Sequence, residues 1–153
     1  MAATLSRISR VTPQVLASAR LAVRTPGPGL IDVTGDVVNF LKEIAARDGV
    51  LLMFLRHTSA SLTIQENADP DVRRDLVTAL DQLAPQDAGW VHDSEGPDDM
   101  PAHVKAMLTG VTLNVPVAAG TLKLGTWQGI YLVEHRRAPH DREIVLQFLG
   151  ACA

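Results

Sequence analysis

The stretch VLLMFLRHTSASLTIQ, residues 50–65, decides the fold. Its first part, Val50 to Leu55, is apolar at every position, as in a strand covered on both faces, and is the longest strongly hydrophobic run in the chain. Its second part alternates. Side chains on a strand point to opposite faces in turn, so Phe54, Thr58, Ala60, Leu62 and Ile64 form the predicted buried set, which Arg56 interrupts. His57, Ser59, Ser61 and Thr63 share the opposite, small and polar face. Such a strand either leaves the core for water or lines a cleft or subunit interface with a histidine at its inner edge. Alternation alone leaves both open.

Toward the N-terminus, residues 1–12 show no periodicity and read as an arm stopped by Pro13. Val15 to Arg24 reads as a strand closed by Pro26-Gly27-Pro28-Gly29, and Leu30 to Val33 as its hairpin partner. Thr34 is the predicted cap of a helix with Val37, Leu41, Ile44 and Ala45 on one face, ending at Asp48-Gly49. Toward the C-terminus, Asp69-Pro70 opens a helix with an apolar stripe at Val72, Leu76, Leu80 and Leu83. Its other face carries Asp71, Arg73, Arg74, Asp75 and Asp81, a mixed-charge surface. Gln86 to Gly96 is a loop, and Asp98 or Asp99 caps a helix through about Leu108. Val111–Val117, Thr121–Leu124, Trp127–Arg136 and Glu143–Leu149 read as strands, with Pro116 marking an edge or strand end. Helices interrupting antiparallel strands specify an α+β domain with a sheet large enough to curl.

The 153 residues suit one domain, and 46% hydrophobic against 20% charged residues excludes disorder and coiled coils. A net charge of −3 and 4% aromatic residues argue against nucleic acid as a partner. No apolar run reaches the roughly 20 residues that span a bilayer. Cys152 has no internal partner and the first residues lack an apolar signal core, so the expected location is cytoplasmic.

Five histidines make imidazole the natural place to look for chemistry. His57 ends the hydrophobic half of a strand. His92 stands in a loop before Asp93-Ser94-Glu95, and His103 lies four residues after Asp99, on the same helix face. Three neutral imidazoles from a strand, a loop and a helix suit a zinc ion with an open fourth position. The competing reading of Asp99 is an ordinary helix cap, and each histidine alone reads as structural. His135 and His140 flank a basic segment ending in Arg142, either a charged turn in solvent or an anion pocket. Glu134, emerging where an apolar strand ends, suits an acid–base residue or an interface ion pair. Gln65-Glu66-Asn67 is a loop or the mouth of a site.

Three blocks together carry a resemblance. They are His57-Thr58-Ser59-Ala60-Ser61-Leu62-Thr63 running on to Glu66-Asn67-Ala68-Asp69-Pro70; His92-Asp93 with Gly96, Asp98 to His103 and Lys105; and Gly125 to Leu132 with Glu134-His135-Arg136. The sequence resembles the YjbQ family, often labelled secondary thiamine-phosphate synthase, over residues 13–150. The resemblance implies a single α+β domain over residues 13–150, with its sheet curled toward a barrel and a tail at 151–153, assembled as a homotrimer with sites near subunit boundaries and a histidine-rich pocket for a divalent metal. Zinc is the first choice, with magnesium the alternative for a diphosphate substrate. It implies His57, His92 and His103 as ligands, leaving the role of His135 open. It further implies Glu66, Asn67, Asp99 and Glu134 as catalytic, and Ser59, Ser61, Lys105, Gln128 and Arg142 as contacts to a small anionic substrate. The implied reaction joins hydroxymethylpyrimidine diphosphate to a thiazole phosphate and releases pyrophosphate. A non-catalytic metal- or ligand-binding trimer and a metal-dependent hydrolase are the alternatives. The turn Arg137-Ala138-Pro139-His140-Asp141 departs from relatives, which tend toward glycine there.

Overall fold

The computed structural model describes residues 3–153. Residues 1 and 2 of the expected arm lie outside it, and residues 3–14 are exposed without regular structure. Eight strands and three helices follow: β1 (Val15–Thr25), β2 (Gly29–Asp32), α1 (Thr34–Glu43), β3 (Ala46–Leu55), β4 (Ala60–Glu66), α2 (Pro70–Leu83), α3 (Asp99–Thr109), β5 (Thr112–Ala118), β6 (Thr121–Leu122), β7 (Gln128–Glu134) and β8 (His140–Cys152). They build two antiparallel sheets, ordered β1-β8-β3-β5-β6 and β2-β7-β4, which curl around a common core in the expected α+β class. The described residues contain no helix long and apolar enough to cross a membrane.

Leu51, Met53, Leu55, Ile144, Leu146 and Phe148 from the larger sheet meet Ala60, Leu62, Ile130 and Leu132 from the smaller, with Val37 and Leu41 of α1 completing the core. Strand β7 is buried on both faces: Ile130, Leu132 and Glu134 point between the sheets, while Tyr131, Val133 and His135 alternate to the other side. On that other side α3 packs on β4 and α2 on β2. The Asp69 carboxylate accepts the Asp71 amide at 2.8 Å, the cap that the Asp-Pro pair specifies. No residue of α2 is fully buried, and Leu83, expected in its apolar stripe, is exposed.

Several expectations give way. Residues 50–65 form not one strand but two in different sheets, divided at residues 56–59. The inward set of β3 is Leu51, Met53 and Leu55, which turns Phe54 outward at 48% exposure and leaves Thr58 exposed in the bend. The hairpin of the first two strands is absent: β1 pairs with β8 and β2 with β7. Pro26 and Pro28 remove amide donors between them, and the chain crosses from sheet to sheet there. Helix α1 stops at Glu43, with Ala45 at φ +50°, instead of running to Asp48-Gly49. Its cap position is Val33, although the Asp32 carboxylate accepts the Thr34 amide at 2.8 Å. Gly49 is no helix end. It faces Gly150 across β3 and β8, where a Cβ would lie 2.3 Å from the Leu149 carbonyl oxygen, so the absence of a side chain permits this close strand approach. Strand β8 also extends through Ala151 and Cys152, the residues expected as a tail.

Candidate functional site

The end of β7 sends three successive side chains into three different groups. Glu134 points between the sheets. Its two oxygens accept from Arg142 Nε at 2.7 Å, Arg142 Nη2 at 2.6 Å, Thr25 Oγ1 at 2.7 Å and the amides of His135 and Arg136 at 3.0 and 2.9 Å. A carboxylate offers about four lone-pair sites, so this one is saturated. Burial pushes its pKa up, but the hydrogen bonds from Arg142, the Arg136 amide and Thr25 outweigh it and hold the carboxyl below its usual range. Arg142 Nη2 also donates to the carbonyl and hydroxyl of Ser59, at 3.3 and 3.2 Å. Glu134, read as an acid–base residue or an ion-pair partner, and Arg142, read as a substrate contact, form a buried ion pair that ties the end of the smaller sheet to β8. Ser59 belongs to that pair's surroundings.

His57 joins this second group, away from the other expected ligands. Its Nε2 accepts the Glu143 amide at 2.9 Å and its Nδ1 lies 3.5 Å from Arg142 Nη1. Burial, then the Arg142 charge, lower its pKa, which keeps the ring neutral and accepting. With Nε2 occupied by a backbone amide, His57 is not among the side chains that converge on a metal position.

Those that converge are His92, Asp99 and His103, whose ligand atoms all lie within 4.8 Å of one another. Asp99, only 2% exposed, presents Oδ2 to His92 Nε2 at 2.8 Å and to His103 Nε2 at 3.2 Å. Its Oδ1 is held by the Arg136 guanidinium, which also donates from Nε to Asp98 at 3.1 Å and from Nη2 to the Glu95 carbonyl at 2.8 Å. Of the two cap candidates, Asp98 holds the cap position, without a capping side-chain bond, and Asp99 is the first helical residue. Asp98 is occupied with Arg136 and with the Arg137 amide at 2.8 Å. Against the upward push of burial, these partners lower its pKa.

The protons on His103 are constrained. Its Nδ1 lies 3.0 Å from the Thr58 carbonyl oxygen, which can only accept, so Nδ1 carries hydrogen. A neutral His103 then aims the Nε2 lone pair at a carboxylate oxygen. A positive charge, either a second ring proton or a metal ion, makes that contact favourable. A tetrahedral zinc ion needs neighbouring ligand atoms about 3.3 Å apart; the two imidazole–carboxylate spacings of 2.8 and 3.2 Å are near that, all three atoms lie within 4.8 Å, and imidazole with carboxylate is a donor set that zinc takes. The carbonyl on His103 Nδ1 and the guanidinium on Asp99 Oδ1 are the outer contacts that orient such ligands.

Other expected residues gather elsewhere. Glu66 accepts the Asp69 amide at 3.3 Å, Gln128 accepts the Gly125 amide at 2.8 Å, and Asn67 donates to the Thr126 and Gln128 carbonyls at 3.4 and 3.3 Å. Glu66 and Gln128 line an opening beside exposed Trp127, with no hydrogen bond to the histidine cluster among the described residues. Ser61 is buried under α3 at hydrogen-bond distance from His135, and Lys105 points to Asp81. His57, Thr58 and His103 do share a groove of about 670 Å3, walled by Phe54, Ala106 and Met107. Arg136 went unassigned in the sequence, although its place in the basic segment after Glu134 was the available signal.

A curled two-sheet α+β scaffold carrying a histidine–carboxylate cluster at the base of a surface helix is the class that these features define. The profile of the UPF0047 protein YjbQ-like family matches residues 19–151, and the chain belongs to that family. It is 44% identical over 131 residues to the UPF0047 protein sll1880 of Synechocystis, covering 85% of this chain and 89% of the relative. Against the YjbQ protein of Escherichia coli O157:H7 it is 42% identical over 119 residues, covering 77% and 86%. Among solved structures, a YjbQ/UPF0047 family protein of Clostridium acetobutylicum superposes with a TM-score of 0.78 at 38% identity, covering 85% of this chain and 98% of that one. A protein of Aeropyrum pernix gives 0.82 at 30% identity, covering 88% and 99%.

Proposed function

We propose that the chain is a metal-dependent enzyme acting on a small phosphorylated substrate, with a divalent ion, zinc by preference, held by His92, Asp99 and His103. The observation that carries this reading is the His103 Nε2–Asp99 Oδ2 contact of 3.2 Å, in which the other ring nitrogen already has its hydrogen on a carbonyl. An ion there would supply Lewis-acid stabilisation of negative charge developing on a departing phosphate or diphosphate. Arg136 keeps Asp99 in place, and the Phe54–Met107 wall of the adjoining groove offers an apolar surface that keeps water from part of a bound substrate. Thiamine-phosphate synthesis is the named reaction that the sequence resemblance supports. The test pairs metal analysis of the purified protein with complementation of a thiamine-requiring strain. About one equivalent of metal per chain and restored growth are expected, while a metal-free protein overturns the reading.

The same reading includes a homotrimer. Leu16, Val50, Leu52, Phe54, Val145 and Leu149 surround Gln147 on the outer face of the larger sheet, with Leu16 opposite Leu149, Leu149 opposite Val50, and Val145 opposite Phe54. An uncovered patch of this kind marks an interaction surface. Phe54 belongs both to the patch and to the groove beside His103, so a subunit seated on this face would border the site. Light scattering should give about three times the 16.5 kDa chain mass for the native protein and a lower mass for Phe54→Glu, which places a charge in the contact. A native monomer sinks the trimer.

A further inference from the structure

Lys105 and His135 meet in a second pocket, between α2, α3 and the end of β7. Helix geometry separates it from the metal cluster: His103 and Lys105 are two residues apart, about 200° around α3. The pocket is about 280 Å3 and its polar lining is Asp81, Gln86, Asp98, Lys105, His135 and Arg137. Lys105 is 7% exposed and His135 5%. We infer that this pocket binds a phosphate group bearing a hydrogen, as in inorganic phosphate or a phosphomonoester, with Lys105 and Arg137 as its cations and His135 as a hydrogen-bond acceptor.

The donors come first. The Lys105 ammonium has three N–H groups, and Asp81, at 2.5 Å, takes one. Arg137 is exposed at the rim and its guanidinium makes no ion pair among the described residues. Two carboxylates also face the pocket. Asp98 is neutralised by Arg136 and the Arg137 amide, leaving Asp81 as the counter-charge shared with Lys105.

The acceptor follows from a chain of hydroxyls. Thr109 Oγ1 lies 2.7 Å from the Lys105 carbonyl oxygen and 2.5 Å from Ser61 Oγ, which in turn lies 2.9 Å from His135 Nε2. The carbonyl can only accept, so it takes the single Thr109 hydroxyl proton. Ser61 must then donate to Thr109, and its oxygen is left to accept from His135 Nε2–H. In neutral His135 this leaves Nδ1 with the lone pair. No buried side-chain nitrogen or oxygen lacks a partner among the described residues, and Nδ1 makes no hydrogen bond, so Nδ1 is open to the space that the ring lines. An acceptor beside two cations selects an anion with an O–H of its own. Monohydrogen phosphate has one and sulfate has none.

This site stands apart from the metal reading, so it is tested on the full chain in the presence of a chelator. Calorimetric titration with inorganic phosphate at pH 7.5 should show one site per chain, and sulfate should bind at least about tenfold more weakly. Arg137→Ala, at an exposed position, should weaken phosphate about tenfold, Lys105→Gln should weaken it further, and His103→Ala should leave it unchanged. Absence of saturable phosphate binding, equal binding of the two anions, unaltered affinity in Arg137→Ala, or loss in His103→Ala overturns the inference. Circular dichroism of each variant checks that it is folded.

Discussion

Glu134→Gln should destabilise the fold by roughly 3–5 kcal/mol, the cost of leaving one partner of a buried ion pair uncompensated. Arg142 is 4% exposed and, among the described residues, pairs with no other carboxylate, its remaining contacts being Ser59 and His57. For a chain of this length the loss corresponds to a fall in melting temperature of about 6–20 °C, measured by calorimetry. The double variant Glu134→Gln with Arg142→Met should recover part of it, because the stranded charge is gone. A melting point within about 2 °C of native for the single variant defeats the assignment of Glu134 as an anchor.

The same carboxylate gives a pH signature. Its folded pKa lies below the ordinary glutamate value, so its contribution is present above the unfolded value and is lost as pH falls through the folded one. His135 acts in a higher window. Burial, reinforced by the Lys105 charge, lowers it from 6.5 to about 4. The unfolded chain binds a proton there that the folded chain refuses, so stability falls as pH drops from 6.5 toward 4, by about 3 kcal/mol. Denaturation at a series of pH values should show the upper window shrink in His135→Asn, leaving the part that His57 contributes, and the lower one shrink in Glu134→Gln, leaving the part that Asp98 contributes.

Which parts of this were legible in the sequence follows from what each signal encodes. The Asp69-Pro70 start of α2 is a local chemical event, a carboxylate meeting an amide two residues on, and it lies where the residues say. The i, i+4 spacing of Asp99 and His103 is likewise local, and helix geometry brings them together. The register of β3 was not legible, because Val50 to Leu55 is apolar at every position and supplies no alternation to choose between Phe54 and Met53 as the inward residue. Gly49 read as a helix end because glycine suits that position, whereas its partner is Gly150, about a hundred residues away and invisible to any local pattern. The direction of the His57 ring was not legible for a related reason. A four-residue bend aims the ring, and only the three-dimensional path shows that it turns to the Glu143 amide instead of to His103.

The second large effect concerns the metal itself. Asp99→Asn and His103→Ala should each lower zinc affinity by more than the roughly 10–100-fold that changes in outer-shell contacts cost, because the first replaces the proposed anionic ligand by a neutral amide and the second removes a proposed ligand atom. Arg136→Gln should fall inside that 10–100-fold range, since it leaves all three ligands and loses the guanidinium that fixes the Asp99 carboxylate. His57→Ala should leave zinc affinity unchanged, because His57 Nε2 serves the Glu143 amide and its side chain stands outside the cluster. Competition with a chromophoric chelator at pH 7.5 measures all four. The ordering matters more than any one value: ligand variants weakest, Arg136→Gln intermediate, His57→Ala native. Native affinity in both ligand variants would mean that the His103–Asp99 contact is bridged by a proton alone and that the cluster is an ordinary ion pair. Loss in His57→Ala equal to that in His103→Ala would mean that the ring leaves the Glu143 amide to bind the ion, and the cluster would then be a three-histidine site assembled by the metal.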